Sequence, residues 1–348
     1  MDRPEWPRAV GPAVWRGPEI ARRVIMAISP VQEAEILTAS RLLPSDLGAI
    51  SASAVRELVP SWLPLLAAVR RELLNGCGVA QIRGIPVQRM TEVECAVVFW
   101  ALGTLLGTGV SQSAAGDLIG FVRDRGAAAV QNRGYQSRSK LLFHVDYADW
   151  VGLLCVRPAR SGGQSLIASS LAIYNEMLDI HPEYLDILAR GFYWSRNGEQ
   201  GEAEPTTSDR IPVFAVSDAT ISCRYNHPVM RNGCALRGQP VTAEEEEALA
   251  FIEETAKRAE FCLVQTFEPG DAQFLNNYTV LHSRTEYEND EDPRHDRLLL
   301  RLWLRCEDGP NLGEHASAMR TGALVYGRQG RTADELKALG ASLHVRVP

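Results

Sequence analysis

Leu141-Leu142-Phe143-His144-Val145-Asp146 is a short apolar run that ends in an H-x-D pair, and another histidine follows far downstream in Tyr278-Thr279-Val280-Leu281-His282-Ser283-Arg284. Residues i and i+2 of a strand point to the same side of a sheet, so we expect His144 and Asp146 to reach one ion without distorting the backbone. An H-x-D pair alone recurs by chance, and it is more often a surface turn beside a buried histidine. A second histidine in a strand-like run, followed by two arginines, makes a metal site the stronger hypothesis.

Two imidazoles and one carboxylate are a ligand set with a specific use. They can occupy one face of an octahedral ion and leave the opposite face open, which is the ligand pattern of non-heme iron(II) oxygenases. Among the remaining histidines His227 is the serious competitor, although we expect it to line a pocket rather than bind metal. The others are less suited by position: His181, His295, His315 and His344.

A leucine-rich run with regularly placed arginines follows His282. In Arg297-Leu298-Leu299-Leu300-Arg301-Leu302-Trp303-Leu304-Arg305, strand alternation predicts that Arg297, Arg301 and Arg305 share one face. Burying a guanidinium is costly unless a carboxylate or a ligand pairs with it. For Arg297 and Arg301 we favour a ligand, because arginine presents a planar fork that matches a carboxylate. For Arg305 an edge strand with its polar face toward solvent is the simpler interpretation.

Composition and charge exclude several classes of protein. The chain has 348 residues, 45% of them hydrophobic and 23% charged, which is ordinary for a globular protein that buries a core. Its 36 Lys and Arg against 43 Asp and Glu give a net charge of −7, which argues against a general binder of nucleic acid or anionic membranes. No run of about 18 apolar residues and no apolar signal-peptide core is present, so we expect a cytoplasmic protein. The seven cysteines are scattered without a C-x-x-C pair and are expected to be reduced and mostly buried.

The spacing of apolar residues predicts a helical first part and a β-rich remainder. Helices are predicted at 29–40, 61–75, 91–102, 170–188 and 242–258. Short β-like runs between turn residues are predicted at 79–84, 118–122, 141–144, 151–156, 165–168, 191–195, 219–225, 262–267, 272–275, 279–282 and 298–304. Many short strands at this spacing favour a sandwich or barrel over alternating strands and helices.

Two connecting segments carry further predictions. Glu268-Pro269-Gly270-Asp271 has Pro at the second and Gly at the third position of a type II turn. Such a turn would send the following strand back through the sheet and deliver His282. Residues 198–209 are polar, acidic and without periodicity. A loop of this length is either a lid over a binding site or a solvated excursion, and the sequence leaves both open.

Taken in order, these motifs resemble those of the iron(II)- and 2-oxoglutarate-dependent oxygenases of the taurine dioxygenase group, which includes 2,4-dichlorophenoxyacetate dioxygenase and, more distantly, clavaminate synthase. The resemblance covers roughly residues 60 to 306, and the ordered motifs are more specific together than any one alone. The matching segments are 76–86, Phe143-His144-Val145-Asp146, Ser161-Gly162-Gly163-Gln164-Ser165, Glu268-Pro269-Gly270-Asp271, His282-Ser283-Arg284 and 297–303.

The resemblance implies an α+β fold with a mainly β core. This core would be a double-stranded β-helix, a distorted, cupin-like jelly roll, with flanking helices. A single oxygenase domain would span residues 1–348, with a largely helical flank at 1–75, the double-stranded β-helix and its inserts at 76–306, and an extension at 307–348. The partner implied is a small-molecule substrate, and the sequence leaves open whether the chain forms a homo-oligomer.

The resemblance also assigns site residues. The implied iron(II) ligands are His144, Asp146 and His282. Arg297, assisted by Ser165, would bind the distal carboxylate of 2-oxoglutarate, and Arg301 would meet an acidic group on the substrate. With O2 as the second co-substrate, such an enzyme oxidises an unactivated C–H bond and releases succinate and carbon dioxide. Related halogenases have a small residue in place of the carboxylate ligand, so an intact Asp146 favours hydroxylation, desaturation or ring formation.

Departures from the family pattern bear on the substrate. The segment 285–293 is longer and more acidic than in taurine dioxygenase, so taurine itself is not expected. Arg301 suggests a substrate with a carboxylate or a similar anion, although the acidic segments 198–209 and 286–292 could equally favour a cationic group. Two alternatives remain: a non-catalytic jelly-roll protein that binds a ligand or a structural metal, and an oxygenase that acts on a protein side chain. The complete triad and both arginines argue against the first, and the lack of a visible docking surface argues against the second.

Overall fold

The computed structural model describes residues 6–126, 134–200, 204–217, 220–309, 329–345 and 347. Some predictions therefore fall outside the described residues. These are residues 201–203 of the 198–209 loop, Ala219 at the start of a predicted strand, and half of the extension at 307–348, including His315.

The described chain contains short strands and helices that alternate in groups. The strands are Ile25–Ala27 (β1), Val79–Arg83 (β2), Thr108–Val110 (β3), Ile119–Val122 (β4), Leu141–His144 (β5), Trp150–Arg157 (β6), Ser161–Gly162 (β7), Ser165–Ser169 (β8), Phe214–Ser217 (β9), Thr220–Cys223 (β10), Cys262–Gln265 (β11), Ala272–Asn276 (β12), Val280–Arg284 (β13), Tyr287–Glu288 (β14) and Leu298–Arg305 (β15). The α-helices are Gly17–Ile20 (α1), Pro30–Leu42 (α2), Ala52–Leu58 (α3), Leu63–Asn75 (α4), Glu92–Leu106 (α5), Ser170–Ile180 (α6), Pro182–Ala189 (α7), His227–Leu236 (α8), Ala243–Lys257 (α9) and Ala333–Ala338 (α10).

Two sheets form the centre of the molecule. The major sheet has seven strands in the order β1-β2-β12-β6-β15-β3, with β4 also paired to β15. The minor sheet has the order β11-β8-β13-β5. Within these two sheets β1 and β2 are parallel and the other pairs are antiparallel. The predicted α+β class with a mainly β, double-stranded β-helix core is confirmed.

The outer face of the major sheet is covered by the N-terminal helices. The even-numbered leucines of β15, from Leu298 to Leu304, are buried in the same core as α5. The close approach of this helix depends on Gly103, because a Cβ there would lie 2.3 Å from Leu302 Cδ2. Within β15 the predicted strand alternation therefore holds, with the even-numbered leucines on the helix side and Leu299 and Arg301 on the cavity side.

The interpretation of Arg305 as an edge-strand residue is wrong. β15 is a central strand, with β6 on one side and β3 and β4 on the other. Arg305 is half-buried, and its Nη2 donates to the backbone oxygen of Gly330 at 3.1 Å. The C-terminal segment that contains Gly330 thus covers a position that the sequence suggested would face solvent.

The minor sheet is covered by a second helical layer formed by α6, α7 and α9. The predicted helix at 170–188 is in fact two helices, since α6 ends at Ile180 and α7 starts with Pro182 at its first position. Proline disfavours a helical conformation in the residue before it and suits the first turn of a new helix. The run 191–195 makes only isolated bridges, Phe192 to Ile211 and Ser195 to Thr206, instead of the predicted strand.

The predicted type II turn is present at Glu268-Pro269-Gly270-Asp271. The amide of Asp271 donates to the Glu268 oxygen at 3.0 Å, and Gly270 has φ of 88°, as the third position of this turn requires. The fully buried Asp271 carboxylate accepts hydrogen bonds from Gln81 and Arg83 on β2. The turn thus fixes β12 between β2 and β6, and the chain then continues into β13.

No α-helix in the described ranges is both long enough and apolar enough to span a membrane.

Candidate active site

The two histidines of the predicted triad are direct partners in the minor sheet. His144 is the last residue of β5, and it is in register with His282 on β13. Residues directly opposite one another on antiparallel strands project to the same face of the sheet. Their ring centroids are 4.3 Å apart. Strand pairing therefore brings together two histidines that are remote in sequence.

Asp146 reaches the site from a loop and not from the strand that was expected. β5 ends at His144, so the period-2 argument does not apply to the third member of the triad. Two hydrogen bonds fix the loop instead: Val145 N donates to Tyr225 O at 2.8 Å, and Asp146 N donates to Asn277 Oδ1 at 3.1 Å. The predicted grouping is confirmed, but by a different local geometry.

The Asp146 carboxylate is held by two side chains of β15. Trp303 Nε1 donates to Oδ2 at 3.0 Å, and Arg301 Nη1 lies 3.4 Å from Oδ1. Burial alone would raise the pKa of Asp146, but the Arg301 charge and the neighbouring histidines lower the pKa below its usual value. Burial, reinforced by His144, lowers the pKa of His282 to about 3. Near neutral pH the site thus offers a carboxylate and a neutral imidazole, the forms that coordinate a metal.

The donor set fits a divalent metal ion. One ligand atom each from His144, Asp146 and His282 lies within 4.8 Å of the others. His144 Nδ1 is 2.8 Å from the Leu142 oxygen and must donate to it, which leaves Nε2 as the free lone pair. The Nε2 atom of His282 is 3.9 Å from Asp146 Oδ2. Two imidazoles and one carboxylate are a ligand set suited to iron(II) with open positions.

Trp303→Phe should weaken metal binding without removing a candidate ligand. The change deletes the N–H that orients the Asp146 carboxylate, and loss of such a supporting partner typically costs about 10–100-fold in metal affinity. The measurement is anaerobic iron(II) titration of both proteins. Trp62→Phe is the matched control, because Trp62 is fully buried and donates to the Gln32 oxygen at 2.9 Å, away from the site. Equal losses in both variants would mean that Trp303 acts only through packing.

The triad opens into a cavity of about 770 Å³ between the two sheets. Arg301 and Ser165, both predicted site residues, line this cavity, as does Arg284 from β13. Apolar side chains contribute much of the remaining wall: Val122, Leu153, Phe267 and Leu299. The cavity is thus large enough for two small molecules beside a metal ion.

Arg297 is buried close to this cavity without a full set of partners. Its side chain is 3% exposed overall, and its Nη1 atom has no hydrogen-bond partner among the described residues. The guanidinium carbon lies 4.8 Å from the Tyr287 ring centroid, and Arg284 contacts the same ring at 4.8 Å. Burial lowers the pKa of Arg297, and burial together with the Arg297 charge lowers the pKa of Arg284 to about 10.

These unpaired guanidinium groups fit a carboxylate-bearing co-substrate. Arg284 also has two atoms, Nε and Nη1, without partners in the described chain, while its Nη2 donates to the Ser137 oxygen at 2.8 Å. Ser165 is in register with Arg284, and its hydroxyl donates to Gln273 Oε1 at 2.9 Å. Buried cations are costly when unpaired, so an anion at this position would satisfy them.

The Gly162-Gly163 pair is required by the packing around Arg297. Both glycines have φ of 68°, and a Cβ on Gly162 would lie 2.2 Å from the Glu286 oxygen. A Cβ on Gly163 would lie 3.1 Å from Arg297 Nε. The glycines of the sequence motif therefore allow β7 and β14 to pair closely and leave room for the guanidinium.

If Arg297 binds 2-oxoglutarate, as the resemblance implies, Gly163→Ala should reduce the affinity for 2-oxoglutarate by about 10-fold, or about 1.4 kcal/mol, because the new methyl group displaces Arg297. The positive φ adds a stability cost of about 1–2 kcal/mol. Gly238→Ala separates the two effects, since Gly238 also has φ of 68° but no atom within 4 Å of an added Cβ. Both variants should lose similar thermal stability, and only Gly163→Ala should bind the co-substrate more weakly in calorimetry. A normal affinity in Gly163→Ala would contradict this role.

Several residues of the site were not identified from the sequence. Gln112 accepts from Arg301 Nε at 2.7 Å and donates to the Arg301 oxygen at 2.7 Å, and no motif marks it. Asn277 supports the Asp146 loop, and Arg284 stood in a quoted motif without a role. His227 forms a 2.6 Å contact with Glu246, whereas the cavity is lined by its neighbours Asn226 and Pro228.

The fold and the site together define a class, the non-heme iron oxygenases built on a double-stranded β-helix. Residues 41–303 match the profile of the family described as taurine catabolism dioxygenase TauD, TfdA family. The chain is 33% identical over 325 residues to FR-33289 synthase of Streptomyces rubellomurinus, covering 90% of this chain and 94% of that protein. It belongs to the TauD, TfdA family and is an iron(II)- and 2-oxoglutarate-dependent oxygenase.

Solved structures share the fold at low sequence identity. An asparagine oxygenase in complex with Fe(II), 2S,3S-3-hydroxyasparagine and succinate superposes with a TM-score of 0.61 at 17% identity, over 81% of this chain and 94% of that one. The non-heme iron oxygenase OrfP in complex with Fe and alpha-ketoglutaric acid superposes with a TM-score of 0.60 at 12% identity, over 88% and 99%.

Proposed function

We propose that His144, Asp146 and His282 bind the iron(II) ion, and that Arg297 and Ser165 bind the distal carboxylate of 2-oxoglutarate. The observation that carries this proposal is the relative position of the triad, the cavity and Arg297. A two-histidine, one-carboxylate cluster opens into the cavity that Ser165 lines, and the orphaned Nη1 atom of buried Arg297 lies nearby. A structural metal site would not need an unpaired guanidinium beside it.

The reaction we propose is hydroxylation of a C–H bond of a small, carboxylate-bearing substrate. Bound iron(II) and 2-oxoglutarate supply oxygen activation, in which one oxygen atom enters the succinate formed with carbon dioxide and the other enters the substrate. The protein's own residues hold the two organic anions apart. Arg297, which shares the Tyr287 ring with the cavity-lining Arg284, takes one anion, and Arg301 takes the other beside Asp146.

An amino acid or a similar small acid is the substrate class that these features favour. The asparagine oxygenase structure contains a hydroxylated asparagine, and another OrfP structure contains (3S)-hydroxy-L-Arg. Arg301 lines the cavity beside Asp146 and brings a positive charge to the position expected for the carboxylate of such a substrate. The acidic segment 286–292 gives little support to a cationic substrate, because Glu288 and Glu291 pair with Arg160 outside the cavity.

The test is anaerobic titration of the apo-protein with iron(II) and then 2-oxoglutarate, monitored by the visible charge-transfer band of the chelate. We expect a band that saturates at one equivalent of each, and release of succinate when air is admitted. Iron uptake without a band would contradict the co-substrate assignment. Failure to take up iron, in a folded protein, would favour a non-catalytic binding protein.

A further inference from the structure

Three asparagine side chains line the same cavity as the triad, and the reaction as proposed so far gives them no role. They are Asn197, Asn226 and Asn232. Asn197 lies in the loop between the bridged residues Ser195 and Thr206. Asn226 is the N-cap residue of α8, and Asn232 lies on the face of α8 that lines the cavity. The helix α8 was not predicted from the sequence, so this grouping emerges only from the fold.

Asn226 is placed beside the metal-binding cluster by a backbone pairing. It forms an antiparallel bridge with His144, so the two side chains project to the same face. It also occupies the N-cap of α8, a position at which asparagine usually caps the helix. Its side chain makes no such bond. The carboxamide is therefore left for a partner in the cavity.

Asn232 is held in place on one side only. It follows Asn226 by six residues, with Val229 between them, and all three side chains line the cavity on one face of the helix. Its Nδ2 donates to Ser195 Oγ at 3.0 Å. Ser195 is 1% exposed, and the Asn197 backbone amide donates to the same hydroxyl at 3.1 Å. Asn232 is exposed at the rim of the cavity, and its carbonyl oxygen makes no hydrogen bond within the described part of the chain.

Asn197 has an unusual backbone conformation. With φ of 53° it is the single non-glycine residue of positive φ in the described ranges. Such a conformation is uncommon outside glycine, although asparagine tolerates it better than most residues. A backbone conformation of this kind persists only where neighbouring residues hold it, and such positions are frequent at binding sites. Here it directs the Asn197 amide toward the Tyr147 hydroxyl, 3.5 Å away, and Tyr147 packs edge-on against Trp303.

We propose that Asn197, Asn226 and Asn232 form a subsite for an uncharged carboxamide-type group of the substrate, while Arg301 binds its anionic end. This inference rests on the hydroxylase function proposed above and specifies its substrate. A carboxamide both donates and accepts, as the three asparagine amides do, so each side can satisfy the other. A carboxylate offers no donor to the asparagine carbonyls, and an ammonium group offers no acceptor to the asparagine N–H groups.

The charges around the cavity agree with a neutral distal group. Among the described residues that line the cavity, the acidic side chain is Asp146, which already contacts Arg301 and Trp303. A substrate ammonium or guanidinium would compete with the metal for that carboxylate. The asparagine cluster should therefore discriminate between carboxamide substrates and cationic substrates of similar length.

The experiment compares three amino acids of similar length with the iron(II)–2-oxoglutarate protein under anaerobic conditions: L-glutamine, L-glutamate and L-ornithine. Binding is read from the change each causes in the visible chelate band. L-Glutamine should bind at least about 10-fold more tightly than the other two, since each of them leaves amide groups unpaired. Preference for L-glutamate or L-ornithine, or no response to any of the three, overturns the proposal.

A substitution that changes the charge of the subsite at nearly constant side-chain size tests the proposal without the risk to folding that a larger change carries. Asn232→Asp should raise the relative affinity for L-ornithine and lower that for L-glutamine, whereas Asn75→Asp, an exposed position at the end of α4, should change neither. An unchanged preference in Asn232→Asp overturns the assignment of that residue.

The chelate band itself, recorded before any amino acid is added, reports on the proposed function. Loss of the band would refute the oxygenase site, and a normal band without carboxamide preference would refute only this subsite.

Discussion

His144→Ala is expected to abolish iron(II) uptake and 2-oxoglutarate turnover while leaving the fold intact. Loss of a residue that merely supports a metal ligand costs about 10–100-fold in affinity, so loss of one of three proposed ligands should exceed that range. His144 is only partly buried, at the end of β5, and its removal leaves the strand pairing in place. Its partner His282 is buried, so alanine at that position carries a greater risk to folding.

The measurement combines iron analysis after anaerobic loading with succinate release in air. His295→Ala is the matched control, because His295 is exposed in a short turn and lies outside the cavity lining among the described residues. The control should retain full iron content and turnover. Equal iron content in the wild type and His144→Ala would refute the ligand assignment, and thermal melting of both variants establishes that each is folded.

The two-residue strand period and the apolar runs pointed to the two histidines of the candidate metal cluster, whereas the strand argument for Asp146 does not hold, because Asp146 lies in a loop. His144 and His282 both lie in apolar runs with turn residues nearby, and such runs become neighbouring strands in a two-sheet fold. The Glu268 to Asp271 turn was equally predictable, because proline and glycine restrict the backbone locally. The alternation of β15 followed from the same two-residue period.

The residues that support the site could not be predicted from the sequence in the same way. Gln112 contacts the Arg301 side chain and Trp303 the Asp146 carboxylate, while Asn277 accepts from the Asp146 backbone amide. No local spacing in the sequence encodes these long-range pairings. The helix α8 was overlooked because asparagine, glycine and proline interrupt its apolar pattern. Its packing against the bridged segment near Ser195, where Ser195 N donates to Val229 O at 3.1 Å, stabilises a helix that intrinsic propensity alone does not favour.

Arg297→Met is expected to have opposite effects on stability and on co-substrate binding. In the protein without 2-oxoglutarate the guanidinium is buried, one of its nitrogens is unpaired, and burial lowers its pKa. A charge whose pKa is lowered in this direction costs stability whenever the group is protonated, as arginine is near neutral pH. An apolar side chain of similar length should therefore raise the melting temperature, by analogy with replacements of buried ionic groups that stabilise by about 1–4 kcal/mol.

The same substitution removes the residue that we propose as the partner of the distal carboxylate of 2-oxoglutarate. Truncating one member of a buried charge pair costs about 2–5 kcal/mol, which corresponds to about 30-fold to 4,000-fold in Kd. The wild type should gain thermal stability as 2-oxoglutarate is added to the iron-loaded protein, and Arg297→Met should gain none at the same concentrations. Arg305→Met, at the far end of β15, is the control and should keep the ligand-dependent gain. A guanidinium that binds the co-substrate should destabilise the ligand-free protein and should also be necessary for binding. A variant that is less stable without ligand and is still stabilised by 2-oxoglutarate would therefore show that Arg297 stabilises the fold instead.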